Sequence, residues 1–91
     1  MMKVYKVCFD KNYLKELERV PTVYRENIRK KIKELAANPR PEGYLKMKGS
    51  GNTPFYRIRC GDYRIVYTID DDVLIILIIE LGHRKEIYRN Y

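Results

Sequence analysis

A chain of 91 residues carrying a formal net charge of +7, with 45% hydrophobic and 12% aromatic residues, can bury one modest core and is too short for two. The composition excludes a disordered chain, and the longest apolar run, Val73 to Ile79, is far too short to span a bilayer. The positive balance implies an anionic partner such as nucleic acid, an acidic protein or a membrane surface.

No N-terminal run resembles a signal peptide, so the expected compartment is the cytoplasm. Cys8 and Cys60 lack metal-type spacing and read as small reduced core residues. Val4 to Phe9 alternates as a first strand, with Tyr5, Val7 and Phe9 the buried set. Asp10 can cap the helix that follows from roughly Asp10 to Arg19, where Tyr13, Leu14, Leu17 and Val20 recur at helical spacing before Pro21 interrupts. A second helix is expected over Thr22 to Ala37, with Tyr24, Ile28, Ile32 and Leu35 as its apolar stripe and Asn38-Pro39 as its stop. Together they form an αα-hairpin whose stripes must cover a sheet. The basic outer face of the second helix reads as a solvated surface.

After a loop at Arg40-Pro41-Glu42-Gly43, Tyr44 to Lys48 reads as a short strand with Lys46 and Lys48 on one face. The central feature follows. Two runs rich in Tyr, Ile and Val flank Gly61-Asp62, a two-residue loop that closes a tight antiparallel hairpin. That loop sets Cys60 against Tyr63, Arg59 against Arg64, Ile58 against Ile65 and Arg57 against Val66. One face then carries Tyr56, Ile58, Cys60, Tyr63, Ile65 and Tyr67, and the other carries Arg57, Arg59 and Arg64. Like charges facing each other across a sheet destabilise it. A bound polyanion offsets that repulsion, which favours a phosphate site over an idle solvated face.

The Asp70-Asp71-Asp72 triplet suits a polar turn better than a metal site, because adjacent carboxylates in a turn diverge. Val73 to Ile79 is apolar on both faces and belongs in the middle of the sheet. The helices cover one side of it; the other is left to the C-terminal tail or to a partner. Gly82 is expected to release the chain from the strand, leaving His83, Arg84, Lys85, Tyr88 and Arg89 on a short tail.

The order strand, two helices, then three strands, with Tyr56-Arg57-Ile58-Arg59, Gly61-Asp62-Tyr63-Arg64-Ile65-Val66-Tyr67, Gly82-His83-Arg84 and Glu86-Ile87-Tyr88, resembles the RelE/ParE superfamily of bacterial and archaeal toxins, and its RelE branch in particular. The likeness runs through essentially the whole chain; the motifs are fairly specific and the helices generic. It implies a single α+β domain over residues 1–91: an N-terminal strand, an αα-hairpin and a three-stranded antiparallel meander, with the helices packed on one face of a mostly antiparallel sheet. It also implies the toxin of a type II toxin-antitoxin system, a ribosome-dependent endoribonuclease that cuts mRNA and inhibits translation. The partners implied are a cognate acidic antitoxin, the ribosome and mRNA. Neither membrane contact nor a cofactor or metal is expected, and the toxin is a monomer or part of a toxin-antitoxin hetero-oligomer.

By that resemblance Arg57 and Arg59 stand where the family carries two basic residues, usually lysines. Arg64 stands at the arginine after the hairpin turn, Arg84 at the arginine after the last strand, and Tyr88 at the C-terminal tyrosine. Lys46 and Lys48 align with basic residues ahead of the active strands, and Lys85 and Arg89 add tail contacts to RNA. RNA is cut without metal when its 2′-OH attacks the neighbouring phosphorus in line, which demands positioning and stabilisation of phosphoryl charge. Arg64 and Arg84 suit that task because guanidinium binds phosphate bidentately; Tyr88 can stack on a base or move a proton. Arginine keeps its proton, so Arg59 cannot serve as a base in a lysine's place. His83, Glu80, Tyr88, the ribosome and the RNA itself are left as sources of the base. The alternatives are a ParE-like gyrase inhibitor on the same fold and a basic RNA-binding module without catalysis.

Overall fold

The computed structural model describes residues 4–83. Strand β1 (Lys6–Phe9) leads into helix α1 (Lys11–Arg19) and helix α2 (Thr22–Ala37), followed by β2 (Leu45–Ser50), β3 (Thr53–Cys60), β4 (Tyr63–Asp70) and β5 (Ile75–His83). Asp10 caps α1, its carboxylate accepting the Asn12 N–H at 2.9 Å. Pro21, extended at φ −54°, separates the two helices and stands at the N-cap of α2. At the far end of α2, Asn38 turns extended ahead of Pro39.

The sheet has five strands in the order β1-β5-β4-β3-β2. Neighbours are antiparallel except β1 and β5, which run parallel with Cys8 beside Leu77. A parallel pair needs a crossover; here the helices and the meander supply it. This is the expected α+β arrangement, with β2 as an additional edge strand and the apolar β5 at an interior position.

The β3–β4 register is the one that the two-residue loop dictates: Cys60 faces Tyr63, Arg59 faces Arg64, Ile58 faces Ile65 and Arg57 faces Val66. Gly61 makes the turn possible by adopting φ +62°. On the helix side, Ile28, Ile32 and Leu35 of α2 and Tyr13 of α1 join Ile58, Ile65, Tyr67, Ile76, Ile78 and Leu81 in one buried cluster. A bulge decides which β5 residues join it. Val66 faces Glu80 and Tyr67 faces Ile78, so Ile79 is an extra residue, and the alternation shifts to put Leu81 and His83 on the helix side.

Several expectations need correction. Val73 and Leu74 belong to the turn, where Leu74 takes φ +56°, and Val73 is 61% exposed. Gly82 does not release the chain; β5 runs through it to His83. Phe9 is exposed at the end of a short edge strand, its ring covered by Tyr13 at 5.1 Å. Leu14 and Tyr24, read as stripe residues, are each about half exposed because they sit at the margins of their helices' contact with the sheet.

At the β4–β5 end a polar clamp ties three segments together. Asp71 accepts from Arg40 Nη2 at 2.9 Å and from the Tyr5 hydroxyl at 2.6 Å, and the Arg40 guanidinium lies 5.5 Å from the Tyr56 ring centroid. Asp70 accepts the backbone N–H groups of Asp72 and Val73. These two carboxylates therefore shape the turn. Among the described residues no His, Cys, Asp and Glu side chains gather in a group that could hold a metal. No helix is long and apolar enough to cross a membrane.

Candidate functional site

Side chains alternate across a sheet, so register assigns each basic residue to a face. On the face away from the helices, one row runs Leu45, Arg57, Val66, Glu80, and the next runs Arg59, Arg64, Gly82. The expected grouping of Arg57, Arg59 and Arg64 is thus present, with Glu80 in the adjoining row. Gly82, opposite Arg64, has no side chain and is itself buried.

Arg64 is 8% exposed and is the charged residue counted as buried among the described residues. Its Nη1 donates to the Tyr63 carbonyl at a long 3.4 Å. A guanidinium has five N–H donors, and at 8% exposure only a small edge of this one reaches the surface. Arg59 is exposed and bends over the hairpin tip, where Nε donates to the Gly61 carbonyl at 3.1 Å. Both arginines sit on a two-residue hairpin whose strands are locked by Ile58, Ile65 and Tyr67 in the core, so the cations are held on a rigid support.

Lys46 does not join them. It pairs with Tyr56, a core-facing residue, and so lies on the helix side of the sheet at the β2 edge. Lys48 is exposed within the β2–β3 irregularity between Met47 and Ser50, where the register gives it no partner. His83 is also on the helix side: it pairs with Tyr63, and its ring stands at 76° to the tyrosine ring, 5.9 Å between centroids. Arg84, Lys85, Tyr88 and Arg89 lie outside the described residues.

Beside His83 opens a cleft of about 350 Å³ lined by Tyr24, Asn27, Arg59, Cys60, Gly61, Asp62, Tyr63 and His83. Tyr24, Asn27 and Tyr63 are additions that sequence reasoning did not single out. Tyr24 fitted the α2 core stripe and Tyr63 the hairpin core face, and only the packing of α2 against the hairpin end brings them together. Burial pushes the Cys60 thiol up, which works against a thiolate nucleophile there.

The comparisons with known proteins agree with this architecture. Residues 7–88 match the family model described as the ParE toxin of the type II toxin-antitoxin system parDE. The mRNA interferase toxin RelE of Escherichia coli is 31% identical, over 92% of this chain and 90% of its own length. Toxin RelE3 of Methanocaldococcus jannaschii is 37% identical over 91% of this chain and 94% of its own length. Among solved structures, the archaeal RelE-RelB complex from Pyrococcus horikoshii superposes with a TM-score of 0.79 at 28% identity, covering 91% of this chain and 98% of that one. With a family model spanning nearly all of it and curated relatives above 30% identity, the chain belongs to the RelE/ParE superfamily of type II toxin-antitoxin toxins, on its RelE branch.

Proposed function

We propose that this toxin is an endoribonuclease that cuts mRNA on the ribosome by 2′-OH attack on the adjacent phosphate, and that a cognate acidic antitoxin silences it. The observation that carries the reading is the facing pair Arg59 and Arg64, two guanidinium groups at one register position on a rigid hairpin. Such a pair costs stability without an anion. With a scissile phosphate between them, it supplies fixed positive charge where negative charge builds up. The RelE relatives named as mRNA interferases support the activity, and the solved RelE-RelB complexes support the antitoxin partner.

Arg59 and Arg64 hold the phosphoryl oxygens in this reading, with Arg84 as a further cation and Tyr88 stacking on a base or moving a proton. Arg57 contacts the flanking backbone, with Lys85 and Arg89. Lys46 and Lys48 reach RNA only where the strand passes over the β2 edge. Of the described candidates for the base, Glu80 shares the arginine face and His83 does not.

The test is mapping of mRNA 5′ ends after expression of the chain. Discrete cuts within codons are expected from the native toxin and none from Arg84→Ala. Arg64→Ala also removes packing from a buried position, so Arg64→Lys is the informative partner: it keeps one charge, loses the fork, and is expected to fall at least tenfold in cleavage while remaining folded. Full cleavage by the folded Arg64→Lys and Arg84→Ala variants rejects the reading. A ParE-like gyrase inhibitor is the second reading, favoured by the description of the matching family model; inhibited supercoiling with mRNA untouched selects it.

A further inference from the structure

The cleft between α2 and the hairpin tip is not accounted for by phosphate chemistry. An anion needs Arg59 alone, yet the walls hold three aromatic rings and an amide. The Tyr24 and Tyr63 rings are 6.1 Å apart between centroids and tilted by 47°, and the His83 ring meets Tyr63 edge-on. The rings therefore splay, and Tyr24 is 50% exposed. Asn27, exposed one turn further along α2, brings an amide that both donates and accepts. The volume of about 350 Å³ lies at the small end of ligand clefts.

Aromatic faces with an amide at the edge are what single-stranded RNA bases require: stacking for affinity, and a donor and acceptor to read the base edge. Arg59 connects the two regions, because it lines this cleft and also occupies the arginine row with Arg64. A cation is poorly served, since Asp62 is the one carboxylate among the described lining residues and Arg59 opposes it.

We propose that this cleft is a nucleobase pocket, receiving one base of an RNA strand whose phosphate lies against Arg59 and Arg64. The proposal rests on the endoribonuclease reading for the identity of the polymer. It makes Tyr24 the stacking platform and Asn27 a determinant of which base is preferred, so the pocket contributes sequence preference to cleavage.

The experiment is a nuclear magnetic resonance titration of the purified full chain with each of the four ribonucleoside 5′-monophosphates, and with inorganic phosphate. Tyr24 and Asn27 are exposed, so their variants are not expected to unfold the protein. The nucleotides should shift Tyr24, Asn27 and His83 signals with unequal affinities, while phosphate shifts Arg59 and Arg64 and leaves Tyr24 and Asn27 in place. Tyr24→Ala should weaken nucleotide binding about tenfold, within the range produced by losing one base stack, and Tyr24→Phe should not. Asn27→Ala should level the affinities of the four bases. Equal response to phosphate and nucleotides, or unchanged affinity in Tyr24→Ala, overturns the pocket. The two readings fail separately. If the native chain cuts mRNA and Asn27→Ala cuts it at the same positions with the same frequencies, the pocket is rejected and the nuclease stands. If no mRNA is cut but nucleotides still bind with base preference through Tyr24, the pocket stands and the nuclease does not.

Discussion

Tyr67 is fully buried on the core face of β4, and its hydroxyl donates to the Pro39 carbonyl at 2.7 Å. That bond fixes the chain just after α2 to the centre of the sheet. Replacing the residue as Tyr67→Phe keeps the ring but leaves a buried carbonyl without its donor, which costs about 1 to 2 kcal/mol. Burial is also the main reason the phenol titrates well above its usual 10.0. Tyr13 is raised for the same cause, with Arg29 pulling slightly the other way. The sign follows from linkage: a raised acid is neutral in the fold and ionises earlier when unfolded, so its stabilisation is complete below the unfolded value and is lost as pH climbs toward the folded one. Urea unfolding should therefore give a flat stability near neutrality and a fall beginning near pH 10, and the fall should be smaller in Tyr67→Phe. An equally steep fall in that variant places the alkaline loss elsewhere.

At the scale of elements, the β2–β3 connection is a closely packed joint. A Cβ built on Gly49 would run into the Thr53 carbonyl oxygen and crowd the Phe55 nitrogen, both of them backbone atoms that cannot swing aside. Glycine in a strand marks such close approaches. Gly49→Ala should thus cost about 2 kcal/mol or more, and amide exchange should accelerate in β2 while the β3–β4 ladder stays protected. Uniform loss of protection would mean that β2 folds only with the rest of the sheet. The same scale shows what the residues alone disclose. Both helices and the hairpin register are legible, because Asp10, Pro21, Asn38-Pro39 and Gly61 are local signals and the loop length leaves one pairing. The Ile79 bulge is not legible: a run of Ile and Leu has no alternation to reveal an inserted residue, and the insertion is what carries His83 to the helix side. The face of Lys46 was hidden for a related reason, since it depends on how β2 registers against Tyr56. The arginine row was readable and the aromatic cleft beside it was not, because Tyr24 and Tyr63 are 39 positions apart in the chain and meet only through packing.

Across the whole molecule, the net charge of +7 attracts any polyanion, and affinity for RNA alone cannot separate a site from a field. Salt dependence can, because each phosphate neutralised by a protein cation releases counterions and adds to the slope of log affinity against log salt. The fold separates basic residues cleanly. Arg57, Arg59 and Arg64 share the sheet face away from the helices, whereas Lys30 is exposed on α2, which packs against the opposite face. If RNA is held at the arginine rows, Arg59→Gln should reduce the slope by about 1, and Lys30→Gln, which removes the same charge from the molecule, should leave it unchanged. Measuring both variants on one single-stranded RNA holds net charge constant between them, so any difference reports position alone. Equal reductions would mean that the chain binds RNA through its overall field. In that case the facing arginines would need a different explanation for the repulsion they impose on the hairpin.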